Sequence, residues 1–185
     1  MALHKYQAEH GRLPPAVVYG HDRPLYSWRV LLLPYIEEKK LYEELHLNEP
    51  WNSEHNLPLL GRMPRLYEAP WTRCVNVPPG HTVIHVLVGP GTPFEGRNGL
   101  RLPDDFPDGI SNTILFVEAG PPVPWTKPED IAFDPSRPVS LHGLFRDGFR
   151  ACTADGKYRF RRHESDQGTI HAAVTRNGGE RPPDW

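Results

Sequence analysis

Twenty-two prolines and sixteen glycines among 185 residues set the first limit on what this chain can become. Their combined share lies well above the roughly 12% usual for globular proteins, and they are scattered as punctuation instead of gathered into one tract. Proline removes a backbone donor and fixes φ, while glycine ends regular elements, so the fold must be loop-rich. Hydrophobic residues at 38%, with five tryptophans, still exceed what a disordered chain shows. At this length one well-buried core is sufficient, and a single globular domain over residues 1–185 is expected.

The formal net charge is −2, with acids and bases intermixed along the chain, so nucleic acid is not an expected partner. The longest apolar stretches, Val30 to Leu33 and Val83 to Val88, fall far short of the roughly 20 residues of a membrane helix. Membrane contact by this chain itself is therefore not expected, and no charged-then-apolar leader is visible. Cys74 and Cys152 are 78 positions apart without a Cys-x-x-Cys pairing. A disulfide closing that long loop and two unrelated buried thiols both fit.

Residues 2–10 contain no helix breaker, and Gly11, Pro14 and Pro15 supply the stop. Such a short helix is marginal alone, and its abrupt start suggests the end of a longer helix that has been trimmed. Ser27 is placed to cap a second helix, with Trp28, Leu31, Leu32, Tyr35, Ile36, Leu41, Tyr42 and Leu45 on a helical period, which Pro34 kinks or restarts. A shorter helix is expected from Ser53 to Leu60, after the aromatic anchor Trp51. From Tyr67 the texture becomes strand-like, the best candidates being 82–88, 113–118, 148–154 and 157–161. Asp155-Gly156 joins the last two as a tight hairpin, and six prolines between 121 and 138 favour an extended surface connection. A final helix is expected over 165–175, stopped by Asn177-Gly178-Gly179 and followed by a loose tail, 181–185. Helices first and strands later, without regular alternation, predict an α+β fold with an antiparallel sheet.

Sites of known chemistry are hard to assemble. Gly89-Pro90-Gly91 continues as Thr92-Pro93-Phe94, which fits neither a dinucleotide fingerprint nor a P-loop. Gly109-Ile110-Ser111 is followed by Asn112-Thr113, not by the second glycine of a nucleophile elbow. Asp104, Asp108 and Gly109 fall on EF-hand positions, but Phe106 and Leu115 stand where ligands should be. His81 and His85 have an i, i+4 spacing, yet in a strand that places them about 13 Å apart, too far to share one zinc. Cys152 in an apolar strand reads as inert core. No cofactor, metal or catalytic residue is expected. The aromatic residues Trp28, Tyr35, Tyr42, Trp51, Trp71 and Trp125 read as packing anchors, with an aromatic platform for a sugar or peptide as the rival.

Several ordered strings resemble a bacterial family of pilin-like proteins with prepilin-type N-terminal cleavage and methylation. They include His10-Gly11-Arg12-Leu13-Pro14-Pro15, Ser27-Trp28-Arg29-Val30 through Pro34-Tyr35-Ile36-Glu37, and Glu49-Pro50-Trp51-Asn52. Further on come Asp108-Gly109-Ile110-Ser111-Asn112-Thr113, Trp125-Thr126-Lys127-Pro128-Glu129-Asp130, Asp155-Gly156 and Asn177-Gly178-Gly179. The resemblance implies a type IV pilin or type II secretion pseudopilin-like architecture, a long N-terminal helix packed on an antiparallel sheet, with residues 1–10 as the end of that helix. The family's terminal signature, His-x9-Asp-Gly, is broken here: Phe145 holds the histidine position and His142 comes three positions early.

The expected function is a non-catalytic structural head in an envelope assembly, on the extracytoplasmic side of the inner membrane. Its partners would be other pilin-like subunits or envelope proteins, engaged through the helix this chain lacks. The alternative is an extracytoplasmic solute- or carbohydrate-binding module. Structural roles are expected for Trp28, Pro34, Trp51 and Trp125 as anchors and helix punctuation. Asp108, Gly109, Asn112, Asp155 and Gly156 are expected in turns, and Asn177 and Gly178 at a helix stop.

Overall fold

A computed structural model describes residues 1–68, 76–142, 145–162 and 166–180. The expectations for Trp71, Cys74, Ser165 and the 181–185 tail lie outside the described residues. Helices and antiparallel strands combine in an α+β fold, as the sequence predicts. Helix α1, Ala2–His10, ends at Gly11, whose left-handed conformation lets its N–H bond the carbonyl of Gln7 at 2.7 Å. Leu3 buries fully beneath it, while His4 pairs with the carbonyl of Ala154 at 2.7 Å and Gln7 donates to that of Leu102 at 2.6 Å.

A turn at His21 and Asp22 joins two strands the sequence reading did not anticipate, β1 (Val17–Gly20) and β2 (Arg23–Ser27). The periodic segment that follows is not one long helix. Ser27 caps α2, Trp28–Leu31, accepting from the Arg29 N–H at 3.3 Å, but the helix lasts only one turn. Pro34 sits in the first turn of a 3-10 helix, Leu33–Ile36, where its missing N–H costs nothing. Glu37, at φ 67°, then redirects the chain into α3, Lys39–Glu44. The helix expected from Ser53 is instead a series of turns and a 3-10 helix, Leu57–Arg62, because Pro58 and Gly61 interrupt it. A last 3-10 turn spans Arg65–Tyr67.

The main sheet has the order β3-β5-β7-β8, all neighbours antiparallel. Its strands are β3 (His81–His85), β5 (Ile114–Pro124), β7 (Gly148–Thr153) and β8 (Tyr158–Arg162). Strand β5 runs on into the proline-rich stretch expected to be irregular. It does so through a bulge, since Thr82 faces Val123 whereas Ile84 faces Glu118. A short parallel pair, β4 (Leu87–Val88) with β6 (Ile131–Ala132), departs from the purely antiparallel expectation. Helix α4, Gln167–Val174, is capped by Asp166, which accepts from the Thr169 N–H at 3.1 Å.

Period-two alternation gives the sheet two faces. Val117, Phe149 and Ala151 point one way and pack with Ile170, Ala173 and Val174 of α4. Phe116 and Cys152 point the other way, into a cluster with Leu3, Trp28 and Phe94. A third cluster joins Val30, Leu33, Leu41, Tyr67 and Trp125. Trp28 and Trp125 are thus buried and Trp51 is partly buried.

Candidate functional site: an open groove on the sheet

The face that α1 covers is only half covered. Beyond Phe116 and Cys152, the pairing aligns Ile84, Glu118, Arg150 and Phe160 across all four strands, and no helix lies over them among the described residues. The result is a groove of 400 Å³ between Leu66 of the Arg65–Tyr67 turn and the sheet residues Ile84, Glu118, Arg150 and Tyr158. It shares Leu66, Ile84 and Tyr158 with an apolar recess of 210 Å³ lined by Met1, Leu3, Trp28, Tyr35 and Phe116. Large apolar groups are left in water around the opening: Leu66 is 61% exposed, Tyr158 61%, Phe160 48% and Met1 40%. Phe145, standing where the resemblance expects a histidine, meets Phe160 edge-on at 5.6 Å and carries the Arg150 guanidinium over its ring at 5.0 Å. A histidine there would lose part of that apolar packing.

Glu118 is the polar centre of the groove. Burial pushes its carboxyl above the usual range, opposed by Arg150 at 3.9 Å, and its Oε2 has no hydrogen-bond partner. Long distance and partial exposure make this ion pair weak.

Beneath the groove's β3 wall lies a second polar cluster that sequence reasoning missed. Arg29 is fully buried; its Nη2 meets Asp130 Oδ1 at 2.7 Å, and its Nε and Nη2 donate to the Ile84 carbonyl at 3.0 and 2.6 Å. Nη1 donates to Ser27 Oγ at 2.7 Å, so the planar guanidinium fork is used on three partners at once. The same Asp130 oxygen accepts from the Val86 N–H at 3.0 Å and the Trp28 indole at 3.4 Å. His85 stands beside it, Nδ1 at 3.7 Å, with Nε2 hydrogen-bonded to the Pro121 carbonyl at 2.9 Å. The side chains of Arg29, Asp130 and His85 are all buried, so the arrangement ties segments together and offers no surface to a reactant. One signal was available in the sequence: an arginine inside the apolar run Trp28 to Leu33 demands a buried counter-charge. Nothing in the sequence said that the partner would lie 101 residues away.

The residues singled out by sequence are dispersed. Trp125 is sealed against Tyr67 and donates its indole N–H to Leu60 at 3.2 Å; Trp51 holds Leu25 through its backbone N–H at 2.7 Å. Asn112 donates to the Asp108 carbonyl at 2.8 Å across Gly109, at φ 97°, while the Asp108 carboxylate receives the Gly179 N–H at 3.1 Å. Gly156, at φ 88°, closes a three-residue hairpin in which Thr153 N–H meets the Lys157 carbonyl at 3.0 Å. Burial disfavours charge on Asp155, yet hydrogen bonds from Thr153 and Lys157 outweigh it and hold the carboxyl below its ordinary range. Helix α4 ends at Val174, where Thr175 turns extended, and Asn177 and Gly178 follow that exit. Asp105 is held by Arg101 at 3.0 Å, His81 by the Pro79 carbonyl at 3.0 Å, and among the described residues no group of three donors could hold a metal ion. Cys152 is a free buried thiol that burial, with Asp155 nearby, pushes up to about 12, leaving it uncharged near neutral pH.

The family model described as "Protein of unknown function (DUF1559)" matches residues 1–96. The chain belongs to the DUF1559 family. No curated protein and no solved structure matches it. The DUF1559 match spans α1, the Arg29 segment, Leu66 and β3, hence one wall of the groove and one half of the buried ion pair. Strands β5, β7 and β8, with Glu118, Asp130 and Tyr158, lie beyond it. No helix among the described residues is long and apolar enough to cross a membrane.

Proposed function

We propose that this DUF1559-family chain is a non-catalytic head domain of a pilin-like or pseudopilin-like envelope assembly, displayed on the extracytoplasmic side of the inner membrane. The observation that carries the reading is the groove: buried charges are spent on internal ties, while Leu66, Tyr158, Phe160 and Met1 stay exposed around one opening. Contiguous exposed apolar groups with a polar rim are what protein contacts use. Catalysis has no place in the proposal, since the Cys152 thiol is uncharged near neutral pH and His85 is sealed from solvent.

Expression from its own locus, with whatever sequence precedes Met1 in the genome, tests the reading. Processing by a prepilin peptidase and recovery in the membrane fraction are expected; an unprocessed cytosolic product would overturn it. A solute-binding role is favoured by one observation, the convergence of Glu118 and Arg150 on a 400 Å³ groove with an aromatic side. Titration calorimetry with neutral oligosaccharides separates the two, because saturable binding abolished by Glu118→Gln belongs only to the solute reading.

A further inference from the structure

The two edges of the main sheet are finished differently. At β3 the outward carbonyl of Ile84 is taken by the Arg29 guanidinium, and its outward N–H by Thr82 Oγ1 at 3.2 Å. That edge is closed. At β8 the hydrogen-bonded pair Thr153–Lys157 fixes the alternation, so Arg159 and Arg161 bond β7, whereas Tyr158, Phe160 and Arg162 turn their N–H and C=O groups outward. Among the described residues no strand pairs with that side.

We propose that β8 accepts an acidic, extended segment of a partner protein as a fifth strand of the sheet. Charge selects this occupant. Within the hairpin from 148 to 162 Arg150 faces Glu118 and Lys157 pairs with Asp155, while β8 itself holds three arginines, Arg159, Arg161 and Arg162, and no acid, in a chain of net charge −2. Two copies of β8 would bring arginines together, so the edge rejects itself, while alternating acids on an incoming strand complement it. Apolar residues between those acids lie over the exposed Tyr158 and Phe160 rings, and main-chain bonds to the outward groups supply affinity. The proposal rests on the assembly reading only in taking the partner to be a protein.

The probe is a fluorescein-labelled octapeptide of alternating valine and glutamate, followed by anisotropy and by hydrogen exchange. Binding is expected to weaken with salt, to exceed that of the valine–lysine counterpart by roughly tenfold or more, and to protect the Tyr158, Phe160 and Arg162 amides. Lys157→Glu with Arg162→Glu should cost roughly the same factor. Phe160→Pro, which removes an outward N–H without touching the β7 ladder, should abolish binding that Phe160→Ala partly retains. Melting curves establish that each variant folds. Equal binding of the lysine peptide, protection elsewhere than β8, or displacement by heparin or phosphatidylglycerol vesicles overturns the proposal. A chain that sorts to the envelope yet ignores the acidic peptide defeats strand addition and leaves the assembly reading intact; a cytosolic chain that binds the peptide does the reverse.

Discussion

Asp130 takes Arg29, Val86 and Trp28 through one oxygen, and its Oδ2 has no partner. Asp130→Asn leaves a buried guanidinium without its counter-charge, a loss of about 3–5 kcal/mol. Urea unfolding at neutral pH measures it, and a loss within experimental error would show that the pair is not a structural tie. Replacing both partners, Arg29→Met with Asp130→Leu, should recover most of the loss, because no charge is then stranded. Glu118 behaves oppositely. Its carboxyl is raised in the folded state, so its contribution to stability is full below the unfolded value of 4.5 and is lost as pH rises through the folded value. Glu118→Gln is therefore expected to unfold at higher urea than the parent at neutral pH, with the gap closing as pH falls toward 4.5. Asp105 and Asp155, both lowered, produce the reverse slope below 3.8 and are the internal comparison.

At the scale of elements, the hairpin alternation has a direct readout. Native-state hydrogen exchange should protect the Arg159 and Arg161 amides and leave those of Tyr158 and Phe160 fast; uniform protection would mean that something already covers the edge. Leu3→Ala in α1 should cost about 2–5 kcal/mol, since the side chain is 2% exposed in the cluster beneath Trp28. Short-range signals were legible: the α1 stop at Gly11, the Ser27 cap and the Asp155-Gly156 turn each depend on a few neighbouring atoms. Pro34 restarts the periodic segment at a first-turn position, one of the two readings the sequence allowed. The extra break at Glu37 was not legible, because the three pieces keep one apolar period while feeding two clusters, around Trp28 and around Val30 and Leu41. Strands β1 and β2 went unseen because they are short and Pro24 sits inside one of them. The extension of β5 through Pro121 and Pro122 needed the bulge, which only its pairing with β3 reveals.

For the whole molecule, the groove was illegible because five separate segments, around residues 66, 84, 118, 150 and 158, supply its walls. One clue was present in Tyr158-Arg159-Phe160-Arg161-Arg162, a strand pattern whose apolar members alternate with charge yet find no cover. The same pattern predicts oligomeric state. The isolated chain should sediment as a monomer at micromolar concentration, and Arg159→Thr, Arg161→Thr and Arg162→Thr together should promote self-association by removing the repulsion at β8.

Arg29 also imposes an order of events on synthesis. Burying its guanidinium without Asp130 would strand a charge, and until it is buried the outward carbonyl of Ile84 is left to water. During that interval the nascent chain carries an unsealed strand edge beside an unpaired cation, the kind of surface on which aggregation begins. Chains truncated before residue 130 are therefore expected to aggregate where the full chain does not, which a solubility comparison of the two would check.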